Sequence, residues 1–277
     1  MRRGPRGGPG EFGARLARVT ELLGGEPGAA RGPLTLLAAV LRHQEGRLGV
    51  APEAPANTGS APFPLLDLEG AVPLVADELS VAVEGLMASV TPPLAEAGER
   101  LREDPGLHAA LIASWFEDMP LVDARLGFWV RVAAGPVLEG AARHQSVPDD
   151  WHGSACPVCG GPPQASAIAE ESGEFMAGSP RSLICGWCAT WWGFARATCP
   201  LCGEQHPDPI EAFMVEDRRW ARVDTCQTCH GYMKSFDLRE KGAGNVVPLV
   251  DDVGTLTLDV WAREREFSRT SLSLAGV

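Results

Sequence analysis

The eight cysteines of this chain form four Cys-x-x-Cys pairs: Cys156/Cys159, Cys185/Cys188, Cys199/Cys202 and Cys226/Cys229. Two thiols at i and i+3 around a tight turn aim at one point, which is half of a tetrahedral sulfur site. Two pairs complete one such site, so four pairs make two. Twenty-five residues separate Cys159 from Cys185, and twenty-three separate Cys202 from Cys226. Each gap suits a strand pair between two ligand turns. Only ten residues run from Cys188 to Cys199, which suits a join between modules. The expected grouping is sequential, first pair with second and third with fourth.

Other cysteine chemistries fit less well. Disulfide frameworks belong to small secreted domains. A thioredoxin-like redox pair is single and opens a helix after a βαβ start. Metal ligation accounts for all four pairs at once. A closed four-thiolate site leaves no position for substrate, so its bland role is to staple modules too small to hold by core burial. Sulfur-only tetrahedral sites accept zinc or iron. No Ser/His/Asp set, phosphate loop or carboxylate pair stands out, so no enzyme is expected. Of the six histidines, His230 sits beside Cys229, where it is expected to donate a hydrogen bond or face solvent.

The elements that must position these turns differ between the two halves. Apolar periodicity and Gly/Pro breaks predict helices at 11–23, 33–48, 74–90, 93–103, 106–117 and 122–144. The run 123–134 is apolar on nearly all sides, as in a central buried helix. The Gly/Pro/Ala-rich stretch 45–64 reads as a mobile loop. From about residue 147 the helical period stops, and strands are expected at 182–184, 190–194, 210–215 and 219–225. A Gly-rich bend at 242–244 precedes a last helix over 252–267. The fold class is α+β, with a helical domain at 1–149 and four-cysteine modules of zinc-ribbon or rubredoxin type at 150–196 and 197–237. A linker and helix at 238–277 follow.

Net charge is −12 and the isoelectric point about 5.0. Residues 151–237 hold 10 acidic against 6 basic side chains, net −4, the wrong sign for a ribbon that grips phosphates. Arg218, Arg219 and Arg222 read as a solvated strand face. The basic start at Met1 runs into Gly/Pro without an apolar stretch behind it, and 34–41 is far shorter than the roughly 20 residues of a membrane span. A reduced, cytoplasmic protein without membrane insertion is the expectation.

A longer signature lies around the pairs. Cys156-Pro-Val-Cys159-Gly160 with Pro162 and Pro163 comes first, then Cys185-Gly-Trp-Cys188, Trp192, Arg196 and Cys199-Pro-Leu-Cys202-Gly203. Next come Cys226-Gln-Thr-Cys229-His230-Gly231-Tyr232-Met233-Lys234 and the run from Asp251-Asp252-Val253-Gly254 to Asp259. In this order they resemble the formate dehydrogenase accessory protein family, FdhE, closely over 150–267 and more loosely through the helical half. Glu266-Phe267 departs from the Gly-aromatic pair expected there. The resemblance implies a cytoplasmic assembly factor for respiratory formate dehydrogenase that contacts the catalytic subunit before its export. It implies a helical domain followed by two rubredoxin-like modules that bind iron, two per chain, with zinc as the substitute; it leaves room for a homodimer. The rival is a zinc-ribbon protein that binds nucleic acid, which the acidic charge disfavours.

An assembly factor needs a protein-binding face, and closed four-thiolate sites do not supply one. Trp187, Trp191, Trp192, Arg196 and Tyr232 lie beside the ligand turns. Most of the rings are expected to cover sulfur. Arg196 and Tyr232, each with a polar end, are the expected partner contacts.

Overall fold

Gly/Pro punctuation and amphipathic period give the N-terminal half its helices in the computed structural model, which describes residues 12–118, 122–169, 181–206, 210–214, 218–269, 271–274 and 276. They are α1 (Phe12–Gly24), α2 (Arg31–Arg47), α3 (Leu68–Leu86), α4 (Pro92–Glu103), α5 (His108–Asp118) and α6 (Ala124–Ala142). Helix α3 starts ahead of the expected position 74. The Asp67 side chain accepts from the Gly70 N–H at 3.0 Å, and the buried face of Ala71, Val75 and Leu79 carries the helix through Pro73.

Helix α6 is buried from Gly127 to Ala141 and forms the axis of the bundle. Pro136 lies inside it and has no N–H to give to the carbonyl of Val132. Gln44 of α2 supplies the missing donor, with Nε2 at 3.0 Å from that oxygen. The amide approaches so closely that a Cβ on Gly135 would overlap it. Gly135→Ala is therefore expected to push the amide off the carbonyl and to cost about 1–3 kcal/mol, read as a lower urea midpoint at unchanged slope.

The stretch expected to be mobile is tied down. Ala51, Ala54 and Leu66 are buried, and the Ala54 N–H donates to Val137 O at 3.2 Å. The N–H groups of Leu65 and Leu66 donate to the carbonyls of Pro157 and Val158, both at 2.9 Å, so the loop is fastened to the first cysteine turn. Gly and Pro composition reports the absence of regular structure here, not the absence of anchoring.

The C-terminal half contains β1 (Pro163–Ile168), β2 (Arg181–Cys185), β3 (Trp191–Phe194), β4 (Ile210–Met214), β5 (Ala221–Cys226) and β6 (Gly231–Asp237). Strands β1 and β6 are additions to the expected set. Both are buried on both faces and carry Gln, Ser and Lys, so neither shows period-2 alternation. β1–β2–β3 and β4–β5–β6 are antiparallel meanders, each with one ligand turn before its first strand and one between its second and third. β1 pairs with β6 in parallel, so the two ribbons share one six-stranded sheet in the order β3-β2-β1-β6-β5-β4.

The expected last helix is two, α7 (Pro248–Gly254) and α8 (Leu256–Arg263). They break at Thr255, whose hydroxyl donates to the Asp251 carbonyl at 2.8 Å. α7 packs Val250 and Val253 into one core with Phe12, Leu34 and Leu41 of α1 and α2. A second core lies between the sheet and α8. The largest joins α3, α5 and α6 to the first ribbon and includes its four cysteines.

Candidate metal centres

All four cysteine turns are built alike. The residue after the second cysteine has a left-handed backbone each time: Gly160 (φ 72°), Ala189 (57°), Gly203 (79°) and His230 (52°). Its N–H can then turn back, as Gly160 N–H does to Cys156 O at 2.9 Å and Gly203 N–H to Cys199 O at 3.0 Å. At Ala189 and His230 the conformation opposes the side chain by about 1–2 kcal/mol, a strain that the surrounding ribbon holds.

The turns bring the thiols together in the sequential grouping. The sulfurs of Cys156, Cys159, Cys185 and Cys188 lie within 4.8 Å of one another, as do those of Cys199, Cys202, Cys226 and Cys229. Individual separations are 3.6 Å (Cys156–Cys188), 3.4 Å (Cys159–Cys185), 3.9 Å (Cys199–Cys229) and 3.8 Å (Cys202–Cys226). Four sulfurs about 2.3 Å from a shared tetrahedral centre stand about 3.8 Å apart. The spacing fits a tetrathiolate metal, and the donor set suits zinc or iron. Burial first, and then the neighbouring cysteine sulfurs, push the Cys159 and Cys188 thiols well up, while the Cys156 thiol, against its own burial, is held well down by its hydrogen bonds to the other three. Thiolates packed this closely repel one another, and a shared cation relieves that repulsion.

The two centres sit differently in the fold. All four thiols of the first are buried. Trp187, between its ligands, stacks on Trp115 of α5 at 4.4 Å. Gly161 permits that cover, since a Cβ there would sit 2.5 Å from the Trp187 ring. Trp192 is buried with Nε1 donating to Gly153 O at 2.9 Å, and Trp191 is half-buried. The second centre keeps Cys199 and Cys226 buried but leaves Cys202 exposed and Cys229 half-buried.

Of the two expected partner contacts, Arg196 lies on the surface. Tyr232 does not. It is 1% exposed, and its hydroxyl donates to Asp259 at 2.8 Å. Burial and then the Asp259 charge raise its pKa. A ring in a strand covered by α8 is unavailable to a partner, and the polar end that suggested exposure is satisfied internally. His230 is exposed, with its ring 6.0 Å from that of Phe267.

Tyr232 belongs to a buried ionic network without an assigned role in the sequence reading, although its acids stand in the 251–259 run. Lys234 Nζ, wholly buried, lies 2.5 Å from Asp259 and 3.1 Å from Asp252. Arg269 pairs with Asp252 at 2.7 Å and Asp259 at 3.2 Å. Gln164 of β1 donates to Asp252 at 2.7 Å and accepts from Arg131 of α6. Arg131 also donates to Gly186 O, inside the Cys185–Cys188 turn, at 2.6 Å. Burial lowers its pKa to about 10, which leaves it charged at neutral pH. Asp251 takes Arg18 of α1 at 2.6 Å. The network thus ties helical bundle, first centre, both ribbons and the C-terminal helices together. Three acids in an apolar run were its signal in the sequence.

Residues 198–275 match the family model described as "FdhE, C-terminal domain". "Protein FdhE homolog" of Aquifex aeolicus (strain VF5) is 29% identical over 187 residues, 67% of this chain and 64% of that protein. "Protein FdhE homolog" of Shewanella baltica (strain OS185) is 33% identical over 120 residues, 43% of this chain and 38% of that one. The matches thus span less than two thirds of these curated relatives. "The crystal structure of the FdhE protein from Pseudomonas aeruginosa" superposes with a TM-score of 0.74 over 96% of this chain and 95% of that one, at 24% identity. In fold across nearly all its length, and in sequence across its second cysteine centre and C-terminal helices, this chain is similar to FdhE proteins.

Proposed function

We propose that this chain is a cytoplasmic, metal-binding accessory protein of respiratory formate dehydrogenase maturation. It acts without catalysis of its own, by binding the catalytic subunit before export. The observation that carries the proposal is the FdhE C-terminal domain match over 198–275, a stretch that contains the second centre and Asp251, Asp252 and Asp259. Two closed tetrathiolate sites offer no open coordination position for a substrate, which supports a binding role over an enzymatic one. The eight cysteines are the proposed ligands, with iron as the cellular metal and zinc as its substitute. No helix among the described residues is long and apolar enough to cross a membrane.

The test is co-purification. The tagged full chain is expected to retain the formate dehydrogenase catalytic subunit from an anaerobic extract, and failure to do so would sink the proposal. Arg196→Ala, with its metal content verified, is expected to weaken retention by about 1–2 kcal/mol, the size of a moderate interface contact. Unchanged retention places the contact elsewhere on the surface. Metal analysis of protein from its anaerobic native host should give iron at both centres, and zinc alone would contradict the choice of metal.

A further inference from the structure

We infer that the second four-cysteine centre is an exchange site, at which Cys202 and Cys229 yield their metal to an external thiol, while the first centre is a permanent staple. The inference rests on the reading that both clusters hold a metal, and goes beyond it by giving them different work.

Access separates them. The first centre has four buried thiols, the Trp187–Trp115 stack on one side and the 65–66 backbone fastened across its first turn. Reaching those sulfurs requires part of the helical bundle to open. At the second centre Cys202 is exposed and Cys229 is half-buried, one from each ligand turn, so an incoming sulfur can approach without any unfolding. Cys199 and Cys226 remain buried and can keep hold.

The second centre also has a brace independent of metal. The Glu204 carboxylate, just past Cys202, accepts from the Thr228 hydroxyl at 2.9 Å and from the N–H groups of Gln205 and His206, both at 2.9 Å. This links the 199–202 turn to the 226–229 turn, so losing one sulfur does not let the turns part. The exchange is balanced at each position: an external thiol loses its proton as its sulfur binds, the Cys202 or Cys229 thiolate that it displaces takes one up, and no electron moves. The class of co-reactant is a thiol, whether a small molecule or a protein cysteine.

The full chain loaded with zinc is mixed with excess chromogenic chelator, with and without a small thiol or a cysteine-bearing peptide. Two phases of equal amplitude are expected, the faster at least ~10-fold quicker, because only the slower one needs local opening. Either thiol source should accelerate the fast phase alone. Cys202→Ser should remove the fast phase and leave the slow one unchanged. In parallel, maleimide labelling mapped by mass spectrometry should mark Cys202 and Cys229 before any cysteine of the first centre. Both zincs leaving in one phase, or Cys156 and Cys185 labelled as early as Cys202, would overturn the inference and leave the metal reading standing. Failure of either centre to take up zinc would overturn the metal reading itself, and this inference with it.

Discussion

Cys185→Ser is expected to unfold the first ribbon and to damage the chain more than any change at an exposed ligand. Cys185 is the hub of its centre. Its sulfur lies 3.4 Å from Cys159, accepts the Trp187 N–H at 3.3 Å, and ends strand β2 in the middle of the largest core. Structural zinc contributes about 10–16 kcal/mol in small peptides at neutral pH, as much as the whole stability of an ordinary domain, about 5–15 kcal/mol. Losing one of four ligands forfeits a large part of that. It also leaves three buried thiols without a cation. The helices around Trp129 have their own contacts, including its Nε1 donating to Leu94 O at 2.9 Å. Far-ultraviolet ellipticity should therefore keep its helical form. Near-ultraviolet tryptophan signal should fall as the Trp115–Trp187 stack is lost, and proteolysis should cut within 150–196. A variant with native proteolysis there would remove Cys185 from the structural ligands. Cys202→Ser, at a solvent-facing position, should leave this region intact.

Lys234→Met is the second large effect expected. Lys234 is wholly buried between Asp252 and Asp259, and removing one member of a buried ionic group leaves charge uncompensated at a cost of about 3–5 kcal/mol. Of the two cations paired with these carboxylates among the described residues, Arg269 would remain, beside the neutral donors Gln164 and Tyr232. Thermal unfolding should shift accordingly, and an unchanged midpoint would mean that the network is not charged as drawn. The pH response gives an independent check. Burial opposes the Asp252 charge, but Arg269 and Lys234 prevail and hold its carboxyl below the ordinary value of 3.8. A depressed carboxyl contributes stability that is fully present above its unfolded pKa and is lost as pH falls through the folded value. Without Lys234 the burial penalty gains ground, so acid unfolding should begin at higher pH than in the wild type.

Much of the molecule was legible in residue order because it rests on local chemistry. Cys-x-x-Cys turns are closed by their own backbone, so their spacing alone indicated two four-sulfur clusters and the partners within each. Helices α1, α2, α4, α5 and α6 lie close to where apolar period and Gly/Pro breaks put them. What the sequence could not express was contact between distant segments. Strands β1 and β6 are buried on both faces and show no alternation, and the parallel pairing that fuses the ribbons into one sheet leaves no spacing rule behind. Tyr232 carries the same polar end whether it faces solvent or Asp259; only the position of α8 over β6 decides. The same holds for the cysteines. Four pairs of one pattern give no hint that the helical bundle covers one centre and leaves the other open, since exposure belongs to the packing of whole elements and not to the ligands themselves.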